Sequence, residues 1–218
     1  MIKLFEEYND IHSICEKYNI SNYTINVDGS INVDGDVDLT NRKLTKLPLK
    51  FGRVTGDFFC SSNYLTSLEG SPSYVYYFGC HQNNLTSLEG GPEIIGSSFN
   101  CNDNQLISLK GSPKEVGGYF SCSYNQLTSL EGCPIQIGDD FDFSNNKLTT
   151  LKGGPKQLGG NFYCHDNNLP DLISFNTYTT NKLILKYQDD YSIWNADGTL
   201  NEYRFNDMME EIKGLRND

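Results

Sequence analysis

Cysteine and histidine are the residues of this chain whose recurrence could do chemistry. Cys60, Cys80, Cys101, Cys122 and Cys164 fall at equivalent places in a repeat, and His81 and His165 each follow a cysteine directly. Such a set could ligate a metal, form disulfides or supply a thiolate. Zinc, however, needs ligands converging tetrahedrally. Side chains in register on stacked strands stand parallel, roughly 4.8 Å apart. His81 and His165 lie four repeats apart, about 19 Å, too far to act on one proton. No Ser or Cys is spaced to meet a general base. The expectation is a ladder of small buried thiols, with no catalytic residue, metal or cofactor assigned.

Two further groupings invite the same scrutiny. Asp34-Gly-Asp36-Val-Asp38 places carboxylates at steps of two, with Asp28 ahead of them. A calcium loop would carry Gly at its sixth position and Glu at its twelfth, and neither is found. Gly117-Gly118 and Gly159-Gly160 could cradle a phosphate. They recur between a proline and a strand, so tight turning accounts for them.

The elements that position these residues follow from an internal repeat. Phe58-Phe-Cys60, Phe78-Gly-Cys80, Phe99-Asn-Cys101, Phe120-Ser-Cys122, Phe141-Asp-Phe143 and Phe162-Tyr-Cys164 open six units, 20 or 21 residues apart, and Val37-Asp-Leu39 opens a divergent one. Alternation in Phe-x-Cys puts both side chains on one face of a short strand. Asn63, Asn83, Asn104, Asn125, Asn146 and Asn167 follow at the sixth position, where an amide can bond the backbone at the strand's end and form a ladder between coils. Leu at the eighth and eleventh positions turns inward. Glu-Gly-x-Pro then supplies a turn that excludes a long helix, and Val75, Ile95, Val116, Ile137 or Leu158 closes the core. Single coils cannot bury an apolar face alone, so stacking must supply stability.

Phe-x-Cys-x-x-Asn-x-Leu-x-x-Leu resembles the leucine-rich repeat, with an aromatic and Cys in two of the Leu slots. The short repeat and its Pro turn look like those of small bacterial effector-type repeats. The wording Leu-Thr-Ser-Leu-Glu-Gly-x-Pro is most similar to repeat proteins of large tailed bacteriophages. The resemblance covers residues 37–172 and implies a leucine-rich-repeat solenoid. Its short parallel strands would line the concave face, and irregular turns the convex side.

Open solenoid ends call for caps. Residues 1–36 are expected to form an N-terminal cap, 37–172 a seven-coil solenoid and 173–218 a C-terminal cap. Leu4, Tyr8, Ile11, Cys15 and Tyr18 share one helical face, and Ile25 to Val33 reads as a hairpin turning at Asp28-Gly29. At the other end 183–187 looks strand-like. Phe205, Met208, Met209, Ile212 and Leu215 form an apolar helical stripe.

The chain carries 17 Lys and Arg against 28 Asp and Glu, a net charge of −11. Such a balance opposes direct nucleic-acid binding. The first ten residues include Glu6, Glu7 and Asp10 and lack a secretory signal, and no run approaches the ~18 apolar residues of a membrane span. Seven cysteines without an export signal read as thiols. A cytoplasmic chain follows, in the host bacterium if phage-encoded.

What remains is the outward face of the strands. Candidate partner-binding residues there are Asp57, Phe59, Tyr77, His81, Asn100, Asn102, Asp103, Tyr119, Tyr124, Asp140, Asp142, Tyr163, His165 and Asp166. The full strip holds seven Asp, five aromatics and no Lys or Arg, while Lys110, Lys114, Lys147, Lys152 and Lys156 fall on turns. Tyr is a favoured contact residue, and acidic flanks steer a basic partner. The expectation is a non-catalytic module that holds a basic patch of another protein, such as a host defence component. A nucleotide-binding sponge and a nucleic-acid mimic are alternatives. The first lacks cations for phosphate, and the second lacks evenly spaced carboxylates.

Overall fold

The computed structural model describes residues 2–170 and 178–214. Helix α1 (Ile2–Lys17) leads into an antiparallel hairpin, β1 (Tyr23–Ile25) and β2 (Ile31–Val33). Its turn closes where Asn26 N donates to Ser30 O at 2.8 Å, with Gly29 at φ 77°. From β3 (Val37–Asp38) onward the chain winds as a parallel β-solenoid.

Each leading Phe opens a two-residue strand: β5 (Phe58–Phe59), β7 (Phe78–Gly79), β9 (Phe99–Asn100), β11 (Phe120–Ser121), β13 (Phe141–Asp142) and β15 (Phe162–Tyr163). With β3 they form a seven-stranded parallel sheet in register, Val37 on Phe58, Phe58 on Phe78, and so on to Phe162. The opposite wall is not the run of irregular turns expected. The apolar residues after each proline sit on strands of their own: β4 (Phe51–Val54), β6 (Tyr74–Val75), β8 (Ile94–Ile95), β10 (Glu115–Val116), β12 (Gln136–Ile137) and β14 (Gln157–Leu158). These continue the hairpin into an eight-stranded sheet. Two residues bracketed by turns carry no periodicity to read, yet stacking them in register satisfies their backbone groups.

The core lies between the sheets. Phe58, Phe78, Phe99, Phe120 and Phe141 form a column with ring centroids 5.2–5.6 Å apart, and Leu65, Leu85, Leu106, Leu127 and Leu148 are wholly buried beside it. Cys60, Cys80, Cys101 and Cys122 are buried free thiols, and Cys164 is half-buried. Burial pushes each of these thiols up, Cys164 to about 11, so thiolate is disfavoured. Close stacking also explains the paired glycines. A Cβ on Gly138 would collide with the carbonyl oxygen of Gly117 one coil below, and Gly159 stands in the same relation to Gly138.

The asparagines form the expected ladder. In each coil Nδ2 reaches a carbonyl of its own strand end and one of the preceding coil, as Asn104 does with Cys101 O at 3.2 Å and Cys80 O at 3.1 Å. Its Oδ1 accepts from Leu85 N at 3.0 Å. Asn83, Asn125 and Asn146 repeat the pattern, so a buried amide ties each of these joints between coils.

At the N-terminal end Cys15 and Ile20 join the core, with Ile11 and Tyr18 packed against it. The stripe positions Leu4 and Tyr8 lie outside the described side chains, as do Ile212 and Leu215; Leu172 lies outside the described residues. Segment 183–187 is not a strand: it belongs to helix α2 (Tyr178–Tyr187). Ile184 and Leu185 are adjacent and both buried, which one helix face against the last coil accommodates, and Gln188 Nε2 donates to Leu151 O at 2.9 Å. Helix α3 (Glu202–Gly214) buries Phe205 and Met208. Among the described residues no helix is long and apolar enough to cross a membrane.

Candidate functional site

The outer face of the seven-stranded sheet carries the residues singled out in the sequence, and the strands deliver them in rows. The residue before each leading Phe forms one row, the second residue another, and the fourth and fifth two more. Neighbouring members lie one coil apart because strand N–H groups donate to the next coil, as Phe99 N does to Tyr119 O at 2.9 Å.

Several of the acidic and amide side chains are engaged in holding the coils. Asp36 Oδ1 accepts from Asp57 N at 2.8 Å, and Asp140 Oδ1 from Asn161 N at 2.7 Å. In the second row Asp38, Asn100 and Asp142 accept the N–H two residues on, from Thr40, Asn102 and Ser144 at 2.8, 3.1 and 3.0 Å. Asn102 Oδ1 accepts from Ser123 N at 3.1 Å and from the Ser121 hydroxyl. Asp34 Oδ1 accepts from the Thr55 hydroxyl at 2.9 Å. The aspartates that resembled a calcium loop are thus divided among separate partners, Asp36 and Asp38 holding backbone N–H groups and Asp34 a hydroxyl. Among the described residues no three His, Cys, Asp or Glu side chains gather as a metal would require.

The aromatics differ from expectation too. Of the five expected to be exposed, only Tyr124 stands out in solvent, 58% exposed. Phe59, Tyr77, Tyr119 and Tyr163 are half-buried. Tyr77 packs on Phe59 at 5.3 Å between centroids, and its ring fills the space above Gly79. Tyr119 donates to Asp142 Oδ2 at 3.4 Å and Tyr163 to Asp140 Oδ2 at 3.2 Å. The small residues alternating along the strands leave room for these rings, and Ser61, Ser121, Ser123 and Ser144 are buried. Burial pushes the Tyr119 phenol up to about 12, with the Asp142 carboxylate adding to the effect.

Electrostatics along the strip are one-sided. Asp57 is raised above the usual carboxylate range by burial and by the charge of Asp36 beside it. His81, bonded through Nδ1 to the Ser61 hydroxyl at 2.8 Å, is lowered by burial and partly restored by Asp103. Asp103, His165 and Asp166 are exposed, with His165 Nδ1 2.7 Å from Asp166. Three lysines are paired off the strip: Lys50 with Asp28 at 2.6 Å, Lys110 with Glu89 at 2.8 Å, and Lys156 with Asp189. Arg53 sits 3.8 Å over the Tyr74 ring on the eight-stranded sheet.

Pattern reading did not foresee a property of the fifth row. Asn41, Ser62, Gln82, Asp103, Tyr124, Asn145 and Asp166 all have φ between 51° and 55°, the left-handed turn by which the chain leaves the strand. Asn and Asp tolerate that region, and a bulky aromatic is an outlier there. The run of Asn, Asp, Ser and Gln at this position was the signal.

Two concavities lie away from the strip. A groove of about 580 Å3 runs between residues 91–94 and 111–115, and one of about 450 Å3 between 46–50 and 67–70. Both are lined by residues of the turns, Pro92 and Pro113 in the first and Pro48 and Gly70 in the second. No family model, curated protein or solved structure matches the chain.

Proposed function

We propose that this chain is a non-catalytic binding module of leucine-rich-repeat type, capped by α1 with its hairpin and by α2 with α3. Its strand-side strip engages a basic surface of a partner protein. The observation that carries this is the separation of charge. Asp57, Asp103, Asp166 and Tyr124 share a face without Lys or Arg, while Lys50, Lys110 and Lys156 are paired on other surfaces. Solubility alone is served by interspersed charge. Asp57, held against Asp36 at an energetic cost, is the kind of group that a partner's cation relieves. By its resemblance to phage repeat proteins, a bacterial host protein is the partner class we place first.

Because Asp142 and Asp140 hold backbone, they are poor positions for a test. Asp103→Lys with Asp166→Lys reverses two exposed charges. The expected outcome in affinity capture from bacterial lysate is a protein retained by the wild type, released by salt and lost with the double variant. Identical retention by both baits would remove the strip as the site.

A further inference from the structure

Tyr124 is the residue that the scaffold would not choose. Its row holds Asn, Ser, Gln, Asp, Asn and Asp at the six equivalent positions, all residues that accept φ near 55° or bond locally. At φ 53° an aromatic gains nothing from this backbone. Nor is it packed away like the other aromatics of the strip, since Tyr124 is 58% exposed while Phe59, Tyr77, Tyr119 and Tyr163 are half-buried. Backbone strain kept at an exposed aromatic is the mark of a contact residue.

Its surroundings define what it would touch. Asp103 occupies the same row one coil earlier, bonded to Tyr124's own coil where Asp103 N donates to Ser123 O at 3.2 Å. That carboxylate is exposed, and its charge acts on His81 of the same strip. Tyr124 and Asp103 stand on adjacent coils, whose backbones lie about 4.8 Å apart, and a ring and a carboxylate so placed suit a flat cation that stacks on one and pairs with the other. Guanidinium does both, whereas an ammonium is a compact point charge.

We infer that Tyr124 and Asp103 form a seat for an arginine side chain of the partner. This rests on the strip being the binding face and makes one arginine its anchor.

The test uses the full chain and a synthetic peptide of alternating Arg and Ser, with Lys-Ser and citrulline-Ser peptides beside it, titrated at low ionic strength. The wild type should bind the Arg peptide best and the uncharged citrulline peptide least. Tyr124→Asn, restoring the residue type of the row, should weaken Arg-peptide binding roughly tenfold or more. It should at the same time raise the Tm by about 2–4 °C as strain is relieved. Asp103→Asn should weaken binding without that gain. If Asp103→Lys with Asp166→Lys loses the peptide but Tyr124→Asn binds like the wild type, the strip stands and the seat falls. If the wild type does not distinguish Arg from citrulline, both fall. A lowered Tm in Tyr124→Asn would make the tyrosine structural and would also overturn the seat.

Discussion

His81 reports on the strip residue by residue. Burial disfavours its charged form while Asp103 favours it, and burial wins, leaving its pKa below 6.5. A folded value beneath the unfolded one means that its contribution to stability is intact above about 6.5 and is lost as pH falls through the folded value. A proton NMR titration of the imidazole should therefore give a pKa under 6.5, and Asp103→Asn should lower it further. A rise in that variant would mean that Asp103 does not bear on the strip. The same carboxylate serves the proposed seat, so this titration checks its placement without any partner. Tyr124 was legible in the sequence only as one more tyrosine on a strand face. Its distinction appears once the fifth row is seen to be left-handed, because only then does its difference from Asn41, Asp103 and Asn145 acquire a physical meaning.

At the scale of elements, two-residue strands are held by side-chain columns that cross them. Asn104 donates to carbonyls on two coils and accepts from Leu85 N, all within the buried interior. Asn104→Ala strands several backbone groups at about 1–3 kcal/mol each. Phe120→Ala removes a ring stacked at 5.2 and 5.3 Å from its neighbours and costs about 3–5 kcal/mol. The polar change should therefore lower the denaturant midpoint about as much as the aromatic one. A shift for Asn104→Ala equivalent to less than about 1 kcal/mol would show that the ladder does not hold the coils. Both columns were visible beforehand, because each repeats at one position of a 21-residue unit. The second sheet was not, since strands such as Gln136–Ile137 are too short to alternate. Segment 183–187 misled for a related reason: Leu, Ile and Leu in succession fit a buried strand as well as a buried helix end.

As a whole, the molecule divides its chemistry between two sides. One wall offers half-buried aromatics, exposed Asp103 and Asp166, and exposed Tyr124 among them. The other side offers paired lysines, exposed Ile94 and Ile135, and the groove of about 580 Å3. The solenoid was read from the repeat and is the architecture observed. The division of surfaces was read from charge alone, and the engagement of Asp36, Asp140 and Asp142 with backbone narrows it to fewer residues than the pattern named. The most direct test of the binding face is hydroxyl-radical footprinting of side chains with and without the captured partner. The account predicts that Tyr124 and His165 lose reactivity in the complex while Ile94 and Ile135 keep theirs. Protection of Ile94 with Tyr124 unchanged would place the partner on the opposite side and contradict it.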